Sequence, residues 1–549
     1  MNEMFAGLAE EAARLLRVIH GTRFLSDVLP LGPLALPTAI RRGLSARTLH
    51  AMYAAAHPRR LAIVDAHRAL TYRDTDEEIN RVANALRHRL GDGRRSLAIA
   101  LENRTEYVVL WFAAIRVGLR VVHAGGHVTA EELAHMAKRA DVGLVVASEA
   151  TLDAARKLAA ADASVKVVVT EPAKPAGGEL SYEALRADGS PTFPEPSRHR
   201  GESVVFTSGT TGAPKAAARD FAVFGPLELA RVLERLSLRF GDKHLVVAPL
   251  HHIAPQGLLL IHSAIAGTLY LEPRFDAKRT LEMLSKERVN SLFLVPTTLK
   301  RILELPPELH RKNPTPELRA LICGSAEFGE DLRHAAIRRF GATSVFDFYG
   351  ATELGWVTLI RGDEMLARPA SVGRSIGGQT IAILGKDGEE LPPGEVGLIG
   401  VRNEQGMLGY LGDSRATDET KKAGYTTVED LGRLDADGYL YLAGRARDLV
   451  ISGGVNVYPA EVERVLEEDP AIEEVAVIGV PDREWGEALV AVVVPSGPGF
   501  DPEAARARAK RRLSPAKVPH RFEVVDALPR SAYGKLLKKE LRARYAPSP

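Results

Sequence analysis

Short apolar runs alternate with amphipathic segments over roughly the first 350 residues, and this alternation restricts the folds that the chain can adopt. Five runs typical of strands come first, and four more follow up to about residue 348: LAIVD, SLAIAL, RVVHA, VGLVVAS and VKVVVT, then HLVVAP, GTLYLEP, SLFLVP and ALICG. Between them, segments such as DEEINRVANALRHRL and TAEELAHMAKRA repeat apolar residues at spacings of three and four, as amphipathic helices do. Strands that alternate with helices indicate parallel α/β sheets.

The pattern changes after this region. Residues 372–444 are dense in glycine and proline and contain only short strand-like runs such as IAILG and GYLYLAG, which predicts a small β-rich unit of the barrel type. From about residue 448 onward, strand and helix signals mix over roughly 100 residues, a usual length for one domain. The sequence therefore predicts an α/β fold with a large N-terminal domain, made of two α/β layers plus the β-rich unit, and a small C-terminal α+β domain.

Charge and cysteine content exclude several classes of protein. A net charge of +2 gives no field over the whole molecule that would attract a nucleic acid, so no nucleic-acid partner is expected. Cys323 is the only cysteine, so an internal disulfide and a cysteine-rich zinc site are both excluded, and a reducing cytoplasm is the expected location. The longest apolar segment, residues 258–271, is about 14 residues long, against the roughly 20 that a membrane-spanning helix needs.

Residues 1–48 are interpreted as a lead-in to the large domain. Glu3, Glu10 and Glu11 precede any sustained apolar run, which argues against a secretory signal. The lead-in then mixes apolar residues with arginines, so two interpretations stay open: packing on the main domain, or peripheral contact with a membrane surface.

The stretch VVFTSGTTGAPKAAARD, residues 204–220, places a row of small residues directly after an apolar run. Backbone N–H groups at such a glycine-rich turn form a concave site that suits phosphate oxygens, and hydroxyl groups and a lysine add further donors. The predicted polyphosphate-binding residues are Thr207, Ser208, Gly209, Thr210, Thr211, Gly212 and Lys215. The stretch does not match the G-x-x-x-x-G-K-[ST] phosphate loop, and a plain polar loop is the alternative interpretation.

Four motifs in order carry a resemblance to a known family: TSGTTGAPK, then YGATE at 349–353, then GRARD at 444–448, then LPR at 528–530 with Gly534-Lys535. Together they resemble the adenylate-forming superfamily, which includes acyl- and aryl-CoA synthetases, luciferases and the adenylation domains of peptide synthetases. The similarity spans residues 49–541. It implies an AMP-binding domain over 49–445, a mobile C-terminal domain over 446–549, ATP and CoA as co-substrates, and Mg²⁺.

The resemblance assigns roles around the nucleotide. Glu353, with Thr207, would hold Mg²⁺, because carboxylate and hydroxyl oxygens are hard ligands. Thr352 would hydrogen-bond the α-phosphate, and Tyr349 would stack on adenine. The remaining nucleotide-binding residues implied here are Gly324, Ser325 and Ala326 in a small-residue turn, Asp347, and Gly350. Asp347 replaces the amide side chain that is common in the family, so its backbone carbonyl is the expected adenine contact.

The C-terminal half supplies the other implied residues. Asp430 would accept hydrogen bonds from the ribose hydroxyls, although Glu429 stands where the family usually has glycine, and Arg445 would reach the ribose or phosphate. Lys535 would bridge the carboxylate and the α-phosphate during adenylation. The second half-reaction would follow a rotation of the last domain about Arg447, which replaces the Lys or Asp common at that hinge. The implied CoA-binding residues are Ser452, Gly453, Gly454 and Lys517.

The acid substrate is indicated by PLHH, residues 249–252, which resembles the P-L-F-H of acyl- and aryl-CoA synthetases. His252 would guard the carboxylate end of the pocket, or it is a structural histidine. The stretch APLHHIAPQGLLL has no acidic residue that could pair with the ammonium group of an amino acid, which favours a plain organic acid. Residues 253–265 and 356–360 suit either a hydrophobic tunnel or ordinary core. A medium-chain or long-chain fatty acid is the predicted substrate.

Other activities stay open at this level. An aryl-CoA ligase and an acyl-AMP ligase that loads a carrier protein share the first half-reaction, and a luciferase-like oxygenase would need an aromatic heterocyclic acid. A non-catalytic binding module would be expected to lack Lys535 or Glu353, and both are present. A serine hydrolase would use Ser375 in Gly373-Arg374-Ser375-Ile376-Gly377, but this motif requires a strand before the serine and a helix after it. Whether the protein forms a homodimer also stays open.

Overall fold

The computed structural model describes residues 45–91, 96–195, 197, 199–207, 214–220, 226–403, 406–452, 455–482, 485–530 and 536–546. The chain forms two compact units that interleave along the sequence. The first unit contains residues up to 369, 373–380 and 402–421, and the second contains 370–372, 381–401 and 422 onward. The expected domain borders at 48/49 and 445/446 stay predictions.

The first unit consists of alternating helices and strands. Its helices are α1 (Leu49–Ala56), α2 (Tyr72–Leu90), α3 (Thr105–Val117), α4 (Ala130–Ala140), α5 (Leu152–Ala161), α6 (Tyr182–Asp188), α7 (Pro226–Arg235), α8 (Ile253–Ala264), α9 (Ala277–Lys286), α10 (Pro296–Leu303), α11 (Pro307–Lys312), α12 (Glu330–Phe340), α13 (Gly362–Ala367) and α14 (Ser414–Glu419).

The strands up to the second unit, numbered along the chain, are β1 (Leu61–Val64), β2 (Ala69–Thr71), β3 (Ser96–Ala100), β4 (Arg120–His123), β5 (Val142–Ala147), β6 (Lys166–Val169), β7 (Leu180–Ser181), β8 (Glu202–Thr207), β9 (Lys215–Arg219), β10 (Lys243–Val246), β11 (Thr268–Leu271), β12 (Ser291–Leu294), β13 (Ala320–Gly324), β14 (Val345–Ala351), β15 (Gly355–Arg361) and β16 (Ser371–Ser375). The short strand β19 (Gly409–Tyr410) also belongs to the first unit.

Two mostly parallel sheets build the first unit. In the first unit, one sheet has the order β2-β1-β11-β10-β12-β13-β14-β15-β16, with antiparallel pairing of β1 with β2 at one end and of β14, β15 and β16 at the other. The other has the order β19-β9-β8-β4-β3-β5-β6-β7, and here β8, β9 and β19 form the antiparallel end. Parallel strands need helical crossovers, which explains why nearly every predicted strand is followed by a helix.

Local signals fix where the helices of this unit begin. Thr71 caps α2 through a capping box with Asp74, and Thr129 caps α4 in the same way with Glu132. Helix α3 is buried all round, and its apolar side chains lie in the core cluster that it shares with α2 and α8. A second apolar cluster covers the other face of the β3–β5 region. The two predicted α/β layers are therefore confirmed.

The second unit contains the β-rich segment and the last domain. Its strands and helices are β17 (Thr380–Leu384), β18 (Gly397–Arg402), β20 (Lys421–Lys422), β21 (Tyr425–Thr426), β22 (Asp430–Leu434), β23 (Leu440–Arg445), β24 (Val450–Ser452), β25 (Val455–Val457), β26 (Ile472–Asp482), β27 (Gly486–Pro495), β28 (Arg521–Val524), α15 (Pro459–Glu467), α16 (Pro502–Lys510) and α17 (Lys538–Tyr545).

Helices cover both faces of the five-stranded sheet of this unit. The sheet has the order β25-β24-β27-β26, and β28 joins β27 in parallel. Side chains of α15 and α16 fill the apolar cluster on one face, and Leu541 of α17 lies in the cluster on the other. The predicted smaller α+β domain at the C-terminal end is thus confirmed.

The helices and strands also bear on two further predictions, one about membrane-spanning helices and one about Ser375. Among the described residues, no helix is both long and apolar enough to cross a membrane. Ser375 ends strand β16, although no strand was expected before it, and the next element is strand β17 rather than a helix. The Ser375 hydroxyl donates to the backbone and side-chain oxygens of Gln379, both at 2.9 Å. The nucleophile-elbow geometry of a serine hydrolase is therefore absent at Ser375.

Candidate functional site

Strands β8 and β9 hold both ends of the predicted phosphate loop. Thr207, the last residue of β8, is the register partner of Lys215, the first residue of β9. The Thr207 hydroxyl lies 3.5 Å from the Lys215 carbonyl oxygen, to which it donates. The predicted residues Ser208, Gly209, Thr210, Thr211 and Gly212 lie outside the described residues. The antiparallel pairing fixes the two ends of this loop at one edge of the second sheet.

Thr352 and Glu353 occupy the tight connection between β14 and β15. The phenol of Tyr410 donates to Glu353 Oε1 at 2.6 Å, and the backbone N–H of Met407 donates to the Glu353 carbonyl oxygen at 2.9 Å. The side chain of Arg219 donates to the Thr352 carbonyl oxygen. The turn that carries the predicted magnesium ligand is therefore held by side-chain and backbone contacts from two other segments.

Arg219 ends strand β9 and is buried. Burial lowers the pKa of its guanidinium to about 10, and the nearby Glu353 carboxylate acts in the opposite direction. A guanidinium with a pKa of about 10 is still charged at neutral pH, so Arg219 places a positive charge behind the Thr352–Glu353 turn.

The segment around residues 406–411 joins the phosphate loop to this turn. Leu408 and Leu411 donate their backbone N–H groups to the carbonyl oxygens of Ala218 and Ala216, both at 2.8 Å. The ring of Tyr410 lies under Lys215, with 5.0 Å between its centroid and Lys215 Nζ. One side chain therefore contacts both Lys215 and Glu353.

Sequence analysis did not identify Tyr410 or Arg219 as part of this site. Tyr410 lies 57 residues from Glu353 along the chain. Only the pairing of β19 with β9 brings it to Lys215, and a two-residue strand has no periodicity that the sequence could reveal.

The predicted adenine contacts lie on one strand, two residues apart. Tyr349 and Asp347 are in β14, and both are buried. The carboxylate of Asp347 accepts from Arg333 Nη2. Burial raises the pKa of Asp347 although Arg333 lowers it. Because the carboxylate is engaged by Arg333, the arrangement agrees with the expectation that Asp347 would use its backbone carbonyl, which stays a prediction.

Glycines allow the strands here to approach closely. A Cβ atom at Gly324 would lie 2.6 Å from the Phe348 carbonyl oxygen, and one at Gly350 would lie 2.3 Å from the Gly355 carbonyl oxygen. After Gly324, Ser325 adopts a positive φ of 67°, and both Ser325 and Ala326 are exposed. A non-glycine residue in the left-handed region is a strained conformation of the kind that gathers at ligand sites.

His252 occupies the position just before α8, the helix formed by the apolar segment after PLHH. Its ring centroid lies 4.2 Å from that of His251, and burial lowers the pKa of His252 to about 4. At neutral pH this imidazole is therefore uncharged and can donate one hydrogen bond. Its position agrees with both interpretations of the sequence, the carboxylate contact and the structural histidine.

Helix α8 and strand β15 contain the two segments that were expected to form either a tunnel or core. Leu258, Leu259 and Ile261 lie in the main apolar cluster of the first unit, as ordinary core residues do. Trp356 is also buried, and a Cβ atom at Gly257 would lie 2.9 Å from its indole nitrogen. Gly257 of α8 therefore gives the Trp356 ring the space that it occupies.

In the second unit, Asp430 and Arg445 are register partners on β22 and β23, and an ion pair of 3.0 Å joins Asp430 Oδ1 to Arg445 Nε. Glu429, which stands in place of the usual glycine, adopts a positive φ of 64°. Arg447 lies in the 3₁₀ turn Ala446–Asp448. Burial lowers the pKa of Arg447, with a smaller contribution from the neighbouring charge of Arg445.

The predicted CoA contacts are only partly described. Ser452 of β24 is fully buried, and Lys517 Nζ donates to both carboxylate oxygens of Glu461, at 2.7 and 2.8 Å. A CoA phosphate would have to compete with Glu461 for Lys517. Gly453, Gly454 and Lys535 lie outside the described residues.

The donor set around Glu353 suits Mg²⁺. Among the described residues, no three histidine, cysteine, aspartate or glutamate side chains converge on one point. Mg²⁺ does not need such a cage, because it usually takes one or two carboxylates, waters and substrate phosphates. Glu353 offers one carboxylate, which already accepts a hydrogen bond from the Tyr410 phenol, and Lys215 and Arg219 supply positive charge nearby.

Comparison with known proteins gives a consistent result. The chain matches the model of the AMP-binding enzymes over residues 51–411, and that of the AMP-binding enzyme C-terminal domain over residues 461–535. Feruloyl-CoA synthase of an Amycolatopsis species is 33% identical over 496 residues, which are 89% of this chain and 96% of the relative.

Two further comparisons cover similar lengths. Long-chain-fatty-acid–CoA ligase FadD13 of Mycobacterium tuberculosis is 29% identical over 481 residues, 84% of this chain and 92% of that protein. The structure of ATP-bound MatB from Rhodopseudomonas palustris superposes with a TM-score of 0.81 at 28% identity, over 91% of this chain and 99% of the other.

Proposed function

The chain belongs to the AMP-binding enzyme family and is an AMP-forming acid–thiol ligase, and from this premise we propose that its acid substrate is a medium-chain or long-chain fatty acid. The reaction has two steps. A carboxylate oxygen attacks the α-phosphorus of ATP, which gives the acyl-adenylate and releases pyrophosphate. The thiol of CoA then attacks the acyl carbon, which gives the acyl-CoA thioester and releases AMP.

The first step brings two anions together, so it needs positive charge where negative charge develops. In the proposal, Lys215 and the backbone of residues 207–212 bind the phosphates, and Glu353 holds Mg²⁺, which when bound offsets phosphate charge. Lys535, which stands at the motif position of the family's catalytic lysine, bridges the carboxylate and the α-phosphate. The contact of Tyr410 with both Lys215 and Glu353 supports this division of roles and is the observation that carries it.

The proposal for the acid rests on the surroundings of α8. This helix has no acidic residue, and the imidazole that precedes it is uncharged at neutral pH. An ammonium group would therefore find no counter-charge there, whereas an alkyl chain would meet apolar side chains. The similarity to a long-chain-fatty-acid–CoA ligase supports this choice.

An aryl acid is the second candidate. The ring centroids of Phe348 and Trp356 lie 4.6 Å apart, and Trp356 lies next to Gly257. Such rings can stack on an aromatic acid. The 33% identity to a feruloyl-CoA synthase also supports an aryl acid as the substrate.

A substrate screen decides between the two. Purified protein is incubated with ATP, Mg²⁺ and a series of saturated acids of increasing chain length, together with aryl acids, and pyrophosphate release is measured. We expect the highest kcat/KM with a medium or long saturated acid, and a maximum with aryl acids would overturn this choice. Loss of free CoA thiol in the same reactions tests the acceptor, because a ligase that loads a carrier protein would release pyrophosphate without consuming CoA.

A further inference from the structure

Tyr410 occupies a place that no predicted motif covers. Its phenol lies 2.6 Å from Glu353 Oε1, and its ring centroid lies 5.0 Å from Lys215 Nζ. Glu353 lies between two strands of one sheet of the first unit, and Lys215 lies on a strand of the other sheet. Tyr410 therefore contacts both charged side chains, the anionic Glu353 and the cationic Lys215.

The main chain around Tyr410 is fixed on both sides. Its neighbours Leu408 and Leu411 bond to β9, and Met407 bonds to the carbonyl oxygen of Glu353. The ring itself packs in a small apolar cluster with Ala217, Met407 and Ala416. Because backbone and ring are both held, the phenol oxygen has a defined position relative to the Glu353 carboxylate.

The two contacts of Tyr410 are chemically different. A phenol that donates to a carboxylate makes a charge-assisted hydrogen bond, which directs one oxygen and leaves the carboxylate anionic. The face of the ring attracts the ammonium group of Lys215 through a cation–π interaction. Tyr410 thus restrains an anion and a cation at once without adding a charge.

We propose that Tyr410 is the positioning residue that orients the Glu353 carboxylate and the Lys215 ammonium group for Mg·ATP. The inference rests on the proposed role of Glu353 as the Mg²⁺ ligand. Groups that orient a metal ligand in this way typically contribute about 10-fold to 100-fold to metal affinity. Removal of the phenol oxygen alone should therefore weaken the Mg²⁺-dependent part of ATP binding.

The test compares ATP binding by isothermal titration calorimetry in Mg²⁺ and in EDTA, in full-length protein without the acid substrate. The measured quantity is the ratio of the Kd in EDTA to the Kd in Mg²⁺. In Tyr410→Phe we expect this ratio to fall by about tenfold, while the Kd in EDTA stays within twofold of that of the wild type. In Tyr410→Leu the Kd in EDTA should rise as well, because Lys215 loses the ring.

The chain offers a matched control in its second unit. The phenol of Tyr425 donates to Glu390 Oε1 at 2.6 Å, which is the same bond at the same length. Tyr425→Phe should therefore lose a comparable amount of thermal stability and keep the wild-type ratio. If Tyr410→Phe also keeps the wild-type ratio, or weakens binding equally in Mg²⁺ and EDTA, the positioning role is refuted.

Glu353→Gln separates this inference from the proposed function. If Glu353→Gln lowers the ratio toward one and Tyr410→Phe does not, only the role of Tyr410 fails. If Glu353→Gln keeps the wild-type ratio, the Mg²⁺ role of Glu353 fails, and the inference about Tyr410 fails with it. In the double variant, the two effects should be less than additive, since both act on one carboxylate.

Discussion

At the scale of single residues, two buried charges near the candidate site are held by specific partners. Arg219 is buried behind the turn whose carboxylate is Glu353, and Asp347 is paired with Arg333. A buried charge that loses its partner is costly, so such pairs fix side-chain positions more than they add net stability. This explains why Asp347, which replaces an amide, is accommodated in β14: Arg333 satisfies its charge.

Lys535 is the residue on which the proposed first half-reaction depends. Lys535→Ala should abolish formation of acyl-AMP from acid and ATP, because the positive charge between the two anions is lost. Thioester formation from supplied acyl-AMP and CoA should largely survive. The two steps are measured separately, by pyrophosphate release and by acyl-CoA formation. The control is Lys539→Ala, at an exposed lysine four residues further on, which should leave both steps intact. Equal loss of both steps in Lys535→Ala would contradict the proposed role of Lys535 in adenylation.

Glu429 is a residue whose backbone conformation predicts a stability change. Its φ of 64° is left-handed, and its carbonyl oxygen accepts from Ala446 N at 2.7 Å. A non-glycine residue in this region is strained by on the order of 1 kcal/mol or more, and glycine at the same position is not. Glu429→Gly should therefore raise the free energy of unfolding in urea, by roughly 0.5–1 kcal/mol.

Glu419 provides the contrast for this measurement. It is the last residue of α14, and glycine in a helix costs about 1 kcal/mol relative to better helix formers. Glu419→Gly should destabilise the protein, whereas Glu429→Gly should not. Destabilisation of similar size in both variants would mean that the Glu429 side chain contributes more than its backbone strain costs.

At the scale of elements, the strands and helices that have a clear apolar pattern were predicted from the sequence. The apolar runs from LAIVD to ALICG appear as β1, β3, β4, β5, β6, β10, β11, β12 and β13, because a strand buried on both faces needs a continuous apolar run. The phosphate loop, the loop that carries Glu353 and the role of His252 were predicted from motifs. Tyr410 and Arg219 were missed because their roles come from pairing between β9 and β19 and from burial, and neither leaves a local pattern.

The contact between α8 and β15 leads to a prediction about packing. An alanine is normally about 1 kcal/mol better than glycine within a helix. At Gly257, however, the added Cβ would lie 2.9 Å from the Trp356 indole nitrogen, and overpacking of this kind costs about 1–3 kcal/mol. Gly257→Ala should therefore lower the free energy of unfolding. Gly497→Ala, at a glycine with no neighbouring atom within 4 Å of the added Cβ, should not.

A double-mutant cycle tests the cause of this effect. Trp356→Phe removes the indole nitrogen, so Gly257→Ala should cost less in that background, with a coupling free energy of at least about 0.5 kcal/mol. Purely additive effects would show that the Cβ does not meet Trp356. If α8 and β15 also line the acid site, the same variants should shift the preferred acid length in the substrate screen.

At the scale of the whole molecule, the two units differ in their buried histidines. Six largely buried histidines of the first unit have a pKa below the usual value, mainly because burial disfavours the imidazolium form, and the nearby charges of Arg116 and Arg319 lower the pKa of His50 and His262 further. The pKa is lowered to about 3 for His50 and His123 and to about 4 for His252 and His262, and it is well below normal for His244 and His251. His520 is the only histidine of the second unit.

This difference predicts that the first unit loses stability in mild acid. Each of these histidines is neutral in the folded state below pH 6.5, whereas in the unfolded state it binds a proton as the pH falls through about 6.5. The unfolded state therefore binds more protons, and stability falls as the pH falls. Between pH 7 and pH 5, each of the four histidines with a pKa of about 3 or 4 should lower the free energy of unfolding, by up to about 2 kcal/mol.

Hydrogen exchange in urea, followed peptide by peptide and corrected for intrinsic exchange rates, measures this for each unit. Peptides of α3, α8 and β10 should lose most of their protection between pH 7 and pH 5, and peptides of β26 and β27 should change far less. In the folded protein these four histidines have pKa values of about 3 to 4. Their contribution to the loss of stability should therefore level off near pH 3 to 4. Constant protection of α3 and α8 across this range would mean that the buried imidazoles are already protonated, or are solvated, in the folded first unit.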